Sequence, residues 1–289
     1  MNEKRVLITG SSTGFGRRLV TTFLSKGWTV LATLRDARQR AGLFEEETSA
    51  LHGRLTLLSL DVTQENDRVS VARFIEERAG GKLDCLINNA GFGMFGALED
   101  LSEQQIRQQM EVNFFGLVLL TRRLLPYIRN ARGRIINLSS VLGYMGLPLA
   151  SLYCASKHAV EGFSEALYHE LKPHGVQVGV IEPGAFRTNF GQNQVWGEDC
   201  FDENSPYLAQ TENFNRFREK RNSEPGSPLD PVIAAVMKSA TAEKVPFRQR
   251  CGRDASASYA VKRLLSESRA VALFSRIFRR AFSDQVERV

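Results

Sequence analysis

Cysteine is scarce and scattered. The chain has four, Cys85, Cys154, Cys200 and Cys251, with no CxxC pair and no Cys/His grouping. This spacing excludes the usual zinc and redox motifs, and no metal site is expected. Thiols so far apart suit a reduced, cytoplasmic protein. Long apolar runs are also missing. The richest, Phe114 to Leu120, is too short to span a bilayer and ends near Arg122-Arg123. At the start, Met1-Asn2-Glu3-Lys4-Arg5 leads only to Val6–Thr9 before Gly10, so a first strand is expected there and not a secretory leader. Aromatic-rich nucleic-acid motifs are absent as well. Lys+Arg total 38 against 32 Asp+Glu, a net charge of +6, and many of the basic residues lie near the C-terminus. A basic tail plus a pocket for an anionic cofactor accounts for that charge better than a nucleic-acid partner.

What is present is an ordinary globular composition, 43% hydrophobic and 24% charged over 289 residues, long enough for a sizeable core. Val6-Leu7-Ile8-Thr9 reads as a buried strand feeding Gly10-Ser11-Ser12-Thr13-Gly14-Phe15-Gly16. A helix (Arg17 to Lys26, broken by Gly27) and a second strand (Thr29 to Thr33) complete a βαβ unit. Glycines at that first turn let backbone approach a pyrophosphate, and the helix N-terminus supplies free N–H groups. Gly10, Ser12, Thr13, Gly14, Phe15 and Gly16 are therefore candidate dinucleotide contacts.

An acidic residue at the end of the second strand would bind a ribose 2′-hydroxyl, whereas an arginine accommodates a 2′-phosphate. Here Leu34 holds the acidic position and Arg35 follows, which points to NADP(H) with NAD(H) as a lesser option. The competing reading gives the ribose to Asp36. A polar helix is expected between Asp36 and Gly53, its Glu45-Glu46-Glu47 run a solvated face. Further strands are expected at Leu55–Leu60, Leu83–Ile87, Arg134–Leu138 and Val176–Ile181, with helices at Gln64–Arg78 and Ser102–Arg129. Asp61, beside Val62, sits where a carboxylate could accept from an adenine amino group or simply open a loop. Asn88-Asn89-Ala90-Gly91 either stops its strand or offers amides beside a cofactor ribose, and the two roles are compatible. Asn113, polar within an apolar helix, is on its own most simply structural.

Strand and helix alternate about six times, which signals a doubly wound parallel sheet. Its ligand belongs at the carboxyl ends of the strands, where the glycine turn, Asn88–Gly91, Ser139-Ser140 and Pro183-Gly184 all fall. Between Ser140 and Glu170 a loop gives way to a helix carrying Tyr153 and Lys157 at i and i+4, on one face. A phenol titrates near ~10, and a neighbouring ammonium would lower that value. Such a tyrosine could exchange a proton with a carbonyl or alcohol oxygen as hydride moves at the adjacent carbon. From Ala185 to Pro228 periodicity fades into scattered aromatics, read as a mobile lid over an apolar substrate. Asp230–Thr241 is expected to be a helix and Phe247–Cys251 a last edge strand. The tail from Tyr259 to Phe282 mixes arginines with apolar residues at helical spacing, suiting docking on this chain or a second subunit. A weak membrane-surface contact is the alternative.

The residues resemble the short-chain dehydrogenase/reductases over nearly the whole chain. The matching motifs are Thr9-Gly10-x-x-x-Gly14-x-Gly16, Asn88-Asn89-Ala90-Gly91, Asn113, Ser140, Tyr153-x-x-x-Lys157, and Pro183-Gly184 with Thr188. Ala32-Thr33-Leu34-Arg35-Asp36 and Met145-Gly146-Leu147-Pro148 are similar to the 17β-hydroxysteroid and retinol dehydrogenase branch. The resemblance implies a Rossmann fold over residues 1–255, with a lid at about 185–228 and a C-terminal extension over 256–289. It implies Tyr153 as proton donor and acceptor, and Lys157 tuning it while holding the nicotinamide ribose. It implies Ser140 on the substrate oxygen and a water on Asn113 linking Lys157 to solvent. Thr188 would meet the nicotinamide carboxamide, Asp61 the adenine, and Arg17 would lie near the phosphates. His158 is read as packing. A small carbonyl or alcohol substrate and a homodimer or homotetramer, paired through the helices of Asn113 and Tyr153, follow from the same resemblance. A non-catalytic dinucleotide sensor or scaffold on this fold is the competing class, but such proteins often lose the tyrosine or lysine, and here both are present.

Overall fold

A computed structural model describes residues 3–45, 47, 53–186, 194–223 and 228–283. The elements, in order, begin with β1 (Arg5–Ile8), α1 (Gly14–Ser25), β2 (Thr29–Leu34), β3 (Leu55–Ser59) and α2 (Glu65–Arg78). Then come β4 (Cys85–Asn88), β5 (Gly93–Phe95), α3 (Glu103–Met110), a π-helical turn (Glu111–Phe115) and α4 (Gly116–Ala131). The second half contains β6 (Arg134–Leu138), α5 (Ser151–Leu171), β7 (Gln177–Pro183), β8 (Gln194–Trp196), α6 (Leu208–Ser223), α7 (Asp230–Thr241), β9 (Arg248–Cys251), α8 (Arg253–Leu264) and α9 (Glu267–Ser283).

Seven strands pair in the order β3-β2-β1-β4-β6-β7-β9, every pair parallel. This is the expected doubly wound sheet, in one domain. Short apolar runs such as Val6-Leu7-Ile8 suit strands covered on both faces. Alternation sends Val6 and Ile8 to one side, against Leu19, Val20 and Phe23 of α1 and Val232, Ile233 and Val236 of α7. Leu7 faces the other way, into a cluster with Ile75 of α2, Leu120 and Leu124 of α4, and Leu167 of α5. The order of strands reverses between β1 and β4, so the carboxyl ends diverge there and leave a crevice.

Three expectations change, and one, the docking of the tail on its own chain, is met. The polar helix foreseen over 36–53 is, in its described part, mainly a reversal followed by a 3₁₀ turn, Ala41–Phe44. Asp36 takes a left-handed φ of 53° and its carbonyl accepts from Arg40 N–H at 3.2 Å, turning the chain back towards the crevice. The long helix over 102–129 is interrupted at Glu111–Phe115, ahead of Gly116. The region read as periodicity-free contains β8, paired with β5, and the helix α6. The tail forms α8 and α9 and folds back on its own chain: Phe282 packs on Phe214 and Phe217 at 5.1 and 5.5 Å between ring centroids, and Ala270 is fully buried.

Candidate active site

The crevice holds a cleft of about 680 Å³, within the range of small-molecule and cofactor sites. Gly10, Ser12, Thr13, Gly14 and Phe15 line it, with Arg35 after β2, Asp61 and Val62 after β3, and Asn89, Ala90 and Gly91 after β4. Gly10 and Gly14 have φ of 67° and 55°, which favours glycine at both. Gly16 faces inward instead: a Cβ there would fall 2.2 Å from the Gly10 carbonyl oxygen and 2.7 Å from Asn89 Nδ2, so its role is to let α1 meet the glycine turn and Asn89. The Thr13 side chain makes no capping hydrogen bond, and no acidic residue stands in the first turn of α1. The helix thus presents uncapped N–H groups beside the cleft, a fit to a pyrophosphate.

Asn88 and Asn89 divide their work. Asn88 is buried; its Nδ2 donates to Thr121 Oγ1 at 3.0 Å and Asn137 Oδ1 at 2.8 Å, tying β4 to α4 and β6. Asn89 Nδ2 donates to the carbonyls of Thr9 and Gly10 at 2.8 and 3.1 Å, and Thr9 Oγ1 accepts from the N–H groups of Asn89 and Ala90. This pair holds the glycine turn in shape.

At the ribose end, Leu34 is buried and Arg35 is exposed on the cleft. Arg40 lines it too, carried there by the turn at Asp36, whereas Asp36 does not line it. Arg40 carries no sequence signal, because its place depends on the reversal at Asp36, where a helix is expected. Gln104 and Gln108 of α3 and Val195 of β8 are further lining residues that no motif marked. Asp61 Oδ1 accepts from Thr63 N–H and Oγ1 at 2.9 and 2.7 Å, so part of its carboxylate closes the loop after β3. Arg17 pairs with Glu47 and lies 4.2 Å over the Phe44 ring, engaged away from the cleft.

Beyond Gly91 lie the residues proposed for chemistry. Asn113, Ser140, Tyr153 and Lys157 are 1%, 8%, 8% and 7% exposed. A Cβ on Gly91 would stand 3.1 Å from Asn113 Oδ1 and 3.9 Å from Lys157 Nζ, which shows how closely the loop and both side chains converge. Asn113 grips the loop: its Oδ1 accepts from Phe92 N–H at 3.0 Å, and its Nδ2 donates to Phe92 O at 2.9 Å and Ser156 Oγ at 3.2 Å. The π turn around it is the kind of helix irregularity often found at functional sites. Gly116, just after that turn, would place a Cβ 2.6 Å from Val62 Cγ2, so glycine lets the helix approach the cleft flank.

Lys157 Nζ donates to Leu138 O at 2.9 Å and stands 5.7 Å from the centre of the Tyr153 ring. Burial pulls its pKa from 10.5 down to about 8, opposed by the Glu161 carboxylate one turn on. Burial pushes the Tyr153 phenol well above its usual value, and a hydrogen bond with the Ser140 hydroxyl offsets only part of that. In this structure desolvation outweighs the lowering expected from the ammonium. Tyr153 is therefore a neutral acid at neutral pH, the form that can donate a proton to a carbonyl oxygen. His158, expected to pack, is instead exposed, and its Nδ1 is 2.9 Å from the Cys154 carbonyl of its own helix. Pro183 and Gly184 end β7, where Gly184 N–H donates to Cys251 O at 2.7 Å. Thr188 lies outside the described residues.

A doubly wound sheet with a glycine turn at its switch point defines a dinucleotide-binding class of protein. The family model described as short chain dehydrogenase matches residues 4–198. The chain is 37% identical over 254 residues to 3-ketodihydrosphingosine reductase of Bacteroides thetaiotaomicron, covering 87% of this chain and 89% of that protein. It is 38% identical over 190 residues to retinol dehydrogenase 7 of Mus musculus, covering 65% and 58%. A solved short-chain dehydrogenase from Streptomyces avermitilis superposes with a TM-score of 0.79 at 34% identity, over 96% and 98% of the two chains. The chain belongs to the short-chain dehydrogenase/reductase family, and it is an oxidoreductase of that family.

Proposed function

We propose that the protein interconverts a ketone or aldehyde and an alcohol with NADP(H), with NAD(H) as the weaker cofactor. The observation that carries this reading is the convergence of Asn113, Ser140, Tyr153 and Lys157 at the Gly91 end of a cleft built for a dinucleotide. Bound nicotinamide supplies or accepts the hydride. Ser140 orients the substrate oxygen, Tyr153 gives or takes its proton, Lys157 holds positive charge beside the phenol, and Asn113 fixes the loop and serves the relay to solvent. Arg35 and Arg40 together favour a 2′-phosphate, and no carboxylate occupies the Leu34 position to select a 2′-hydroxyl. Thr188 is assigned the carboxamide contact on its motif alone. Residues 1–255 form the catalytic unit under this reading, the lid spans 185–228, and 256–289 is an extension, of which Phe282 packs on Phe214 and Phe217 of the lid.

Val195, 41% exposed and lining the cleft, supports an apolar substrate body; behind it Phe95 stacks on Tyr153 with centroids 6.4 Å apart and meets Trp196 and Phe214 at 6.2 and 5.7 Å in a buried cluster. Phe115 on the π turn is 43% exposed and suits pairing of two copies through these helices. No described helix is long and apolar enough to cross a membrane. A cytoplasmic protein with weak surface contact to a bilayer is favoured by α9, where exposed Val271, Leu273 and Ile277 lie near Arg269, Arg276 and Arg280. The test of the main reading is NADPH consumption over a panel of steroids, retinoids, acyl ketones and simple ketones. Turnover of at least one, with NADPH preferred to NADH, is expected; failure of every one would remove the proposal.

A further inference from the structure

Arg218 stands out in the lid. It lies one helical turn after Phe214 on α6, and its guanidinium sits over the rings of Phe95, Trp196 and Phe214 at 4.7, 4.8 and 5.8 Å. Phe95 is the ring that stacks on Tyr153, so a cation is held one aromatic residue away from the proposed proton donor. Among the described residues no acceptor reaches its buried Nη1. Burial lowers its pKa, with Glu219 opposing, yet an arginine stays charged.

Three rings stabilise this partly buried cation through their faces. They cannot supply an acceptor in the guanidinium plane, and a buried N–H left unmet is costly. A chain that needed only packing here would place leucine or methionine at this position. A planar carboxylate matches the guanidinium fork. Its single charge also costs less to bring among aromatic rings than a doubly charged phosphate.

We propose that Arg218 is the anchor for a substrate carboxylate, and that the substrate is an amphiphile with an apolar body against the partly exposed Trp196, with Phe95 and Phe214 buried behind it. The turnover part of this inference rests on the oxidoreductase reading above; the binding part stands without it.

Trp196 lies against the guanidinium and reports binding through its fluorescence. Dodecanoate, methyl dodecanoate and dodecylamine are titrated into the wild type, Arg218→Lys and Arg218→Met. The wild type binds dodecanoate about 10- to 100-fold more tightly than the ester, the range for a charge-assisted pair, and more tightly than the amine. Arg218→Lys keeps part of that preference and Arg218→Met loses it. Equal affinity for acid and ester in the wild type overturns the anchor, whatever the fate of the variants. So does an undiminished preference in a folded Arg218→Met. In a second arm, a series of ω-oxo fatty acids and their methyl esters is offered with NADPH. Equal kcat/KM for acids and esters sinks the anchor while the oxidoreductase reading stands. Preferential dodecanoate binding with no turnover in either set supports the anchor and counts against that reading.

Discussion

Replacing Lys157 with methionine tests the electrostatics of the site without large loss of volume. Its ammonium is buried, 7% exposed, and its pKa falls from an ordinary 10.5 to about 8. At about 1.4 kcal/mol for each tenfold change in proton affinity, the penalty is on the order of 3 kcal/mol. A lysine depressed in this way binds fewer protons folded than unfolded between about 8 and 10.5. Wild-type stability therefore carries the full penalty below about 8 and regains it as pH rises to 10.5. Lys157→Met has no such titration, although it loses the hydrogen bond to Leu138 O. Urea unfolding of both proteins across this pH span gives the difference directly. Wild type should gain on the variant as pH rises, by up to about 3 kcal/mol. A flat difference, or one that moves the opposite way, would refute the desolvated state of Lys157.

Removing Arg35 or Arg40 by alanine should cut the NADPH-over-NADH ratio of kcat/KM about 10- to 100-fold each, the value of a charge-assisted contact; unchanged ratios place the 2′-phosphate elsewhere. Gly16→Ala puts a Cβ 2.2 Å from Gly10 O and 2.7 Å from Asn89 Nδ2, so dinucleotide affinity and thermal midpoint should both fall, read by titration and calorimetry. Glu182 is 2% exposed, and burial with the nearby Glu161 charge raises its pKa from 4.5 to about 7 despite Arg250 and Arg248. Its stabilising contribution is present below 4.5 and lost as pH rises through about 7. Denaturation of Glu182→Gln should thus show the stability difference shifting in the variant's favour over that span.

The sheet was readable because parallel strands buried on both faces leave short apolar runs, as in Val6–Ile8 and Ile135–Ile136, each ending in small or amide residues at the crevice. Tyr153 and Lys157 were readable because helical spacing fixes their common face. Arg40 was not, since its place depends on Asp36 adopting a left-handed conformation that most residues avoid. Helix α6 was hidden for a different reason. Its buried contacts come from a few aromatics, Phe214 and Phe217 among them, packed on distant Phe95 and Phe282, so tertiary contacts rather than an apolar stripe stabilise it. The π turn at Asn113 also gave no periodic signal, because the amide's bonds to Phe92 and Ser156 join segments far apart in the chain. Spacing could place Lys157 beside Tyr153, but the balance between burial and charge needed the folded surroundings.

The central claim is that Tyr153 supplies the proton at the substrate oxygen. Tyr153→Phe keeps the ring that stacks on Phe95 and removes only the hydroxyl. The decisive measurement pairs NADPH titration with carbonyl reduction in this variant. The account predicts unchanged NADPH affinity and a kcat lowered by at least ~100-fold, the lower end of general acid catalysis; an undiminished kcat with full cofactor binding would contradict it.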